Sequence, residues 1–267
     1  MNDELIYVYC LTNSKPDLET IAGTRGLRSI FYDNFYVIVR DVSADDFSEE
    51  SFKKHLSDLM WLEYNARDHI EVINIIMKNS SVIPFKFGTI FQEENSLKKF
   101  VADYSDSLTE NFKFVGGMEE WALKIYCDRK ALCHQIDELS EEAAALENQI
   151  MSSSPGKAYL LKRKKADLIE SEINRISKIY GQKYFDEFNN LSERTNLNNL
   201  LPKEITGRED TMILNATFLV NKNKVADFKD VAELFIKKDR NSGFSLEMTG
   251  PWPPFSFISI KEKSHGQ

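Results

Sequence analysis

The spacing of apolar residues changes period several times along the chain, and each change marks an element. Leu5-Ile-Tyr-Val-Tyr-Cys-Leu11 is an unbroken aromatic and β-branched run, which reads as a strand covered on both faces. Gly23 and Gly26 punctuate the loop that follows. Leu27 to Phe31 and Phe35 to Val42 read as two further strands, with Asp33-Asn34 as the turn between them. Beyond Ser43 the period lengthens. Phe52, Leu56, Leu59, Glu63, Ala66, Ile70, Ile73 and Met77 fall on one helical stripe, with Glu63 its polar exception. That pattern predicts a long amphipathic helix with a break near Trp61. Pro84 enforces an extended stretch from Val82 to Phe91, and a shorter helix is expected over Glu93 to Phe112.

Gly116-Gly117 places two flexible residues between a helix and a new strand, which predicts a boundary there and domains of 1–115 and 116–267. The second half opens on Trp121, Leu123, Ile125 and Cys127 alternating with Ala122, Lys124 and Tyr126. Ile136, Leu139, Ala143, Leu146 and Ile150 then step by three and four, as a packing seam does. Ser152-Ser-Ser-Pro-Gly156 interrupts the helix, and the period returns with Ile169, Ile173, Ile176 and Tyr180. Five acids and no base lie between Gln135 and Ile150, whereas Lys157, Lys162, Arg163, Lys164 and Lys165 open the next helix. Opposite charge across a short turn predicts an antiparallel helical hairpin within an insert of about 128–195.

The last third is β-rich. Met212, Leu214, Ala216, Phe218 and Val220 share one strand face, and Asn221 to Asn223 supply a turn. Val225 to Lys238 fits a helix, Phe244, Leu246 and Met248 alternate as a half-buried strand, and Pro202 to Arg208 is a candidate for one more. The chain reads as α+β with two domains. The C-terminal one is a ferredoxin-like sheet enlarged by a long helical hairpin.

Composition narrows the function classes. Across 267 residues, 34 Lys+Arg against 42 Asp+Glu leave a net charge of −8, which argues against nucleic acid or an anionic membrane as a bulk partner. No signal peptide is readable, and the apolar runs fall far short of the ~20 residues that span a bilayer. Three cysteines, Cys10, Cys127 and Cys133, are too few for a disulfide framework. A cytoplasmic, soluble protein is expected. The chain holds 18 Phe and 10 Tyr against 11 Gly, a balance that favours packed elements over loops.

Chemistry is sparse. His55, His69, His134 and His265 stand in no metal-ligand spacing, and His69 reads as a surface or packing residue. Cys127 falls on the inward face of its strand, as an inert thiol does. No phosphate loop, dinucleotide fingerprint or nucleophile elbow is present, and the basic run at Lys162 faces acids across the proposed hairpin. No catalytic, cofactor-binding or metal-binding residue is assigned.

Two rigid segments stand out. In Val82-Ile-Pro-Phe-Lys-Phe-Gly-Thr-Ile-Phe91, Pro84 fixes the backbone, Gly88 permits a positive φ, and Phe85 and Phe87 project in set order. In Thr249-Gly-Pro-Trp-Pro-Pro-Phe-Ser-Phe257, the prolines remove backbone donors and hold Trp252 and Phe255 on a polyproline-like rod that ends sheet pairing after Met248. Both suit either packing within their own domains or recognition of a protein.

The second segment, Gly250-Pro-Trp-Pro-Pro-Phe255 with its flanks, closely resembles the C-terminal motif of the gas vesicle GvpF/GvpL family. Pro84-Phe-Lys-Phe-Gly88 resembles its N-terminal motif. Stretches around Trp121, around Tyr159 and over Met212 to Val220 follow the family's order. Lys86 stands where the family usually has Arg, and Phe255 where it often has Tyr. The resemblance implies a non-enzymatic gas vesicle assembly or minor structural protein without cofactors. Its partners would be the small, very hydrophobic shell protein and other accessory proteins, in the cytoplasm and at the gas vesicle. From it, Pro84, Phe85, Lys86, Phe87, Gly88, Trp121, Tyr159, Gly250, Pro251, Trp252, Pro253, Pro254 and Phe255 are candidate partner-binding residues. The shell protein is expected on an apolar patch of the N-terminal half. The alternative is a small-ligand-binding regulatory module, which would show as a pocket lined by convergent polar groups.

Overall fold

A computed structural model describes residues 4–18, 26–239 and 242–261, without the side chains of 137–139 and 239. Gly23, His265 and the Leu139 side chain lie outside the described residues. The fold mixes helices with antiparallel strand pairs, and the chain divides into two compact units. One is Met1–Glu120 together with Pro251–Gln267, and the other is Trp121–Gly250. The tail after Gly250 thus groups with the first unit, whereas the sequence reading carried the second domain on to 267.

In the first unit, β1 (Glu4–Thr12), β2 (Leu27–Tyr32), β3 (Phe35–Ser43), β4 (Val82–Pro84) and β5 (Ile90–Phe91) form one sheet. Its order is β2-β3-β1-β4, with β5 also on β1. Asp33 and Asn34 take φ of 47° and 69°, the paired left-handed conformation that a two-residue hairpin needs. The register of β1 on β3 slips between Val8 and Cys10. Such a bulge sends two successive residues to one side. Ile6, Val8 and Leu11 accordingly enter one core, while Tyr7, Tyr9 and Cys10 enter the other.

Each face of this sheet has its own helix. Val72, Ile73 and Ile76 of α3 (Leu59–Met77) cover the tyrosine face. Leu97, Val101, Leu108 and Phe112 of α4 (Glu94–Val115) cover the other. Two covered faces bury Tyr7, Tyr9, Phe35 and Phe85, more aromatic area than a single face could take. The expected long helix is instead α1 (Ala44–Phe47), α2 (Glu49–His55) and α3. The break comes before Trp61, because the Asp58 carboxylate accepts the N–H groups of Met60 and Trp61 and starts a new helix. Leu56 and Leu59, expected on the buried stripe, are exposed.

The second unit places β7 (Arg194–Leu197), β8 (Thr211–Asn221), β6 (Met118–Cys127) and β9 (Phe244–Trp252) side by side in that order. Only the first three residues of β6 and the last two of β9 fall in the other unit. Alternate residues of β6 and β8 enter one core beneath α5 (Arg129–Leu139), α7 (Pro155–Asn189) and α9 (Val225–Asp239). The extra strand is β7, not Pro202 to Arg208. There Pro202 opens a short helix, α8 (Lys203–Thr206), and Gly207 closes it at φ 65°. α6 (Glu141–Met151) starts at Ser140, whose hydroxyl accepts the Ala143 N–H. Lys165 reaches Glu147 at 2.9 Å and Arg129 reaches Glu170 at 2.5 Å, so α5 and α6 both run along α7.

Candidate partner-binding groove

The groove is built around the segment after β4. Pro84 pairs with Cys10 across the sheet, and the Phe85 N–H donates to the Tyr9 carbonyl at 2.9 Å. The chain then turns. Thr89 N–H donates to the Lys86 carbonyl, and Gly88 holds φ 80°. A Cβ at Gly88 would press into the Phe52 ring, so this position excludes side chains both by conformation and by space.

An unbroken strand would place these two phenylalanines, two residues apart, on one face; the turn through Lys86 to Thr89 sends them to opposite faces instead. Phe87 lies among Tyr7, Phe52, Trp61 and His69, with ring centres 5.7–6.5 Å away. His69 is 1% exposed and fastens this turn to the sheet. Its Nε2 lies 3.0 Å from the Phe85 carbonyl and its Nδ1 2.9 Å from the Tyr7 hydroxyl. A carbonyl only accepts, so Nε2 carries the proton, and Nδ1 accepts from Tyr7. The Tyr7 oxygen in turn accepts the Gly88 N–H at 3.3 Å. Burial holds the His69 pKa below its usual range and pushes the Tyr7 and Tyr9 hydroxyls well up. Beside it, Tyr9 donates to Asp68 at 3.2 Å under the Arg40 guanidinium. Arg40 and Asp68 approach to 3.2 Å as charges, without a hydrogen bond from Nη2.

Phe85 faces the other way, into an open groove of about 440 Å³. Phe85 and Phe91 meet Phe100 at 5.6 and 5.8 Å between centres, and Tyr104, one helical turn on, meets it at 4.6 Å. Phe255, Ile258 and Ile260 supply the remaining wall, with Lys86 and Thr89 on the rim. The tail is strapped to α4. Asn111 donates to the Ser259 carbonyl at 2.9 Å and accepts its N–H at 3.2 Å. Ser107 accepts the Lys261 N–H at 3.0 Å. Glu120 accepts both the Ser256 N–H and its hydroxyl, at 3.0 and 2.7 Å, while burial raises its carboxyl pKa.

The structure thus gathers Pro84, Phe85, Lys86 and Phe255 at one groove, with Phe87 and Gly88 locked behind it. Pro253 and Pro254 are buried, while Trp252 is 39% exposed on a strand that runs on through Pro251. Pairing therefore does not stop at Met248. β9 is an edge strand, where a missing N–H costs least. Gly250 precedes this pair at φ 144°. Trp121 is buried in the second unit under Lys229, and Tyr159 is exposed on α7; neither lines the groove. Phe100, Tyr104, Ile258, Ile260 and Asn111 were not singled out in the sequence, and His69 was read there as a surface or packing residue. For Phe100 and Tyr104 the i, i+4 aromatic pair was the available signal.

The second unit has a charged cleft of about 560 Å³ lined by Asp128, Arg129, Lys130, Lys203, Arg208 and Asp210. Its charges largely answer each other. Arg208 lies over the Tyr126 ring and holds both oxygens of Asp210 at 2.7 Å, as well as Glu247. Cys127 is buried and accepts the Ser177 hydroxyl at 3.5 Å. Among the described residues no cluster of His, Cys, Asp and Glu is placed to hold a metal ion, and no helix is long and apolar enough to cross a membrane.

The family model for the gas vesicle synthesis proteins GvpL/GvpF matches residues 5–259. The chain belongs to this gas vesicle family. It is 24% identical to gas vesicle protein L of Streptomyces sp. (strain CB03234), over 98% of this chain and 95% of that one. Against gas vesicle protein F of Haloferax mediterranei it is 21% identical, over 97% and 95%. The fold is that of GvpF in crystal structures. For the protein from Anabaena sp. PCC7120 the TM-score is 0.71 at 19% identity, covering 97% of this chain and all of that one. For that from Microcystis aeruginosa it is 0.65 at 17% identity, covering 96% and 99%.

Proposed function

We propose that this chain is a non-enzymatic assembly factor for gas vesicles, acting in the cytoplasm and at the growing vesicle. In this reading the groove of the first unit holds an apolar segment of the hydrophobic shell protein until it is incorporated. The observation that carries it is the convergence of both family motifs on one groove: Phe85 and Lys86 come from one and Phe255 from the other. A shell subunit exposes apolar surface before it assembles and needs an apolar complement. Rigid aromatic walls supply that complement at low entropic cost. Lys86 is exposed on the rim and makes no ion pair among the described residues, so it is free to orient a partner by charge. The second unit, with its order β7-β8-β6-β9, is read as a ferredoxin-like domain that carries contacts with other accessory proteins on its helical insert.

The test is co-purification of the shell protein with the full chain and with two groove variants. Phe100→Ser removes a wall and Lys86→Glu reverses the rim without touching the core. Retention by the wild type is expected, with clear loss in both variants, at unchanged melting temperature for Lys86→Glu and at a lowered one for Phe100→Ser, whose ring packs on the core. Equal retention by all three would move the contact elsewhere, and no retention by the wild type would end the direct-binding reading.

A further inference from the structure

The tip of the helical hairpin carries a second surface with different chemistry. The turn between α6 and α7 is well satisfied: the Ser152 and Ser153 hydroxyls donate to the Asn148 and Gln149 carbonyls at 3.1 and 2.6 Å. Pro155 occupies the first position of α7. Around this fixed turn Met151, Tyr159 and Leu160 stand 78%, 68% and 66% exposed. Large apolar side chains in such a group are not explained by packing within the unit.

The cations beside them are also unused. Lys165 pairs with Glu147, which closes the hairpin below the tip. From there to the turn α6 offers only Asn148, Gln149, Ile150 and Met151, none of them acidic. Lys157, Lys162, Arg163 and Lys164 are all exposed and make no ion pair among the described residues. Arg163 lies one helical turn beyond Tyr159, and Lys164 one turn beyond Leu160, so each apolar residue shares its face with a cation. On a chain of net charge −8 this end is a local inversion of sign, held out by a satisfied turn.

We infer that the hairpin tip docks an acidic protein segment that also presents apolar side chains. Tyr159, Leu160 and Met151 would be the buried centre of the contact and the four cations its charged rim, the usual division of labour at an interface. Neutral complementarity alone would leave the cations without a purpose, and charge alone would leave the three apolar residues exposed. A single aromatic, on a chain of net charge −8, fits nucleic acid poorly. Three apolar residues on an acidic chain fit an anionic bilayer poorly. The inference stands apart from the groove: it concerns the other unit and a partner of opposite character.

The test uses the full chain and a labelled synthetic helical peptide with Leu on one face and Glu on the other, followed by fluorescence anisotropy. Binding should weaken about tenfold or more in Arg163→Glu/Lys164→Glu, in Tyr159→Ser/Leu160→Ser, and when Gln replaces Glu in the peptide. Hydrogen-exchange protection should be confined to the turn and the first turns of α7. Every substituted residue is exposed, so melting temperatures should stay at the wild-type value. Phe100→Ser, in the groove, should bind the peptide normally, which separates failure here from failure of the shell-protein reading. No binding of the peptide would overturn the inference, as would binding insensitive to both tip variants. Tighter binding of phosphatidylglycerol vesicles or of oligo-dT through the same residues would overturn it too.

Discussion

At the scale of single residues, the groove motif depends on two positions that do not line the groove. Gly88 holds φ 80° with the Phe52 ring against it. Gly88→Ala should cost on the order of 2 kcal/mol from the left-handed strain and the displaced ring, seen as a lower urea midpoint with an unchanged m-value. His69 is the other. His69→Leu keeps the volume but leaves the Tyr7 hydroxyl and the Phe85 carbonyl without their partner, a loss of about 2–3 kcal/mol. His69→Gln, whose amide can both donate and accept, should recover part of it. The residue also sets a pH dependence. Unfolded, its imidazole takes a proton near 6.5; folded, burial holds the pKa lower. The unfolded chain therefore binds more protons in that window, and stability falls as pH drops below about 6.5. Glu120 works in the opposite sense, since its raised pKa makes the folded state the readier proton acceptor above its usual 4.5. The difference between wild-type and His69→Leu melting curves, taken from about pH 7 to pH 5, isolates the histidine. An identical slope in both would show that His69 is not held neutral by the fold.

At the scale of elements, the decisive contact is the one between α4 and the tail. Asn111→Leu removes both bonds to Ser259 and should cost about 1–3 kcal/mol. Its sharper signature is local: amides of 257–261 should lose exchange protection while β1 and β3 keep theirs. Uniform loss would mean that the tail and the sheet unfold as one. Local elements were legible in the sequence wherever period alone decides them. Leu214, Ala216, Phe218 and Val220 alternate into the core of the second unit, and Ala143, Leu146 and Ile150 of the seam are buried. Competing local chemistry defeated the same reading elsewhere. Pro202 and Gly207 made a helical turn where a strand was expected, and Asp58 capped a helix inside an apparently continuous stripe. The groove was half legible. Its motif residues were named, but Asn111 and Ser259 lie 148 positions apart, and no periodicity links a helix asparagine to a distant serine backbone. His69 was read as a surface or packing residue, and it packs; its two bonds were not legible, because the Tyr7 hydroxyl of β1 and the Phe85 carbonyl beyond β4 reach it from distant positions in the chain.

At the scale of the whole molecule, the return of the tail changes what a separable half should be. We propose that the two units fold independently, with the first one discontinuous in sequence. The second unit's core draws only on residues from Trp121 to Phe244 and the partly buried Leu246 and Met248, so residues 121–250 expressed alone should unfold cooperatively. Residues 1–120 alone should not match the intact chain, because Phe255, Ile258 and Ile260 pack on its two cores and Ser256 satisfies Glu120. Stripping those side chains opens apolar surface at about 25 cal/mol per Å² and leaves a buried carboxyl unbonded. Joining 1–120 to 251–267 through a short Gly/Ser linker should restore both solubility and melting temperature, because it replaces one whole unit with a loop of modest closure cost. Calorimetry of the three pieces decides the matter. A fragment 1–120 as stable as the joined form would show that the tail adds nothing. A fragment 121–250 without a cooperative transition would show that the units are not independent.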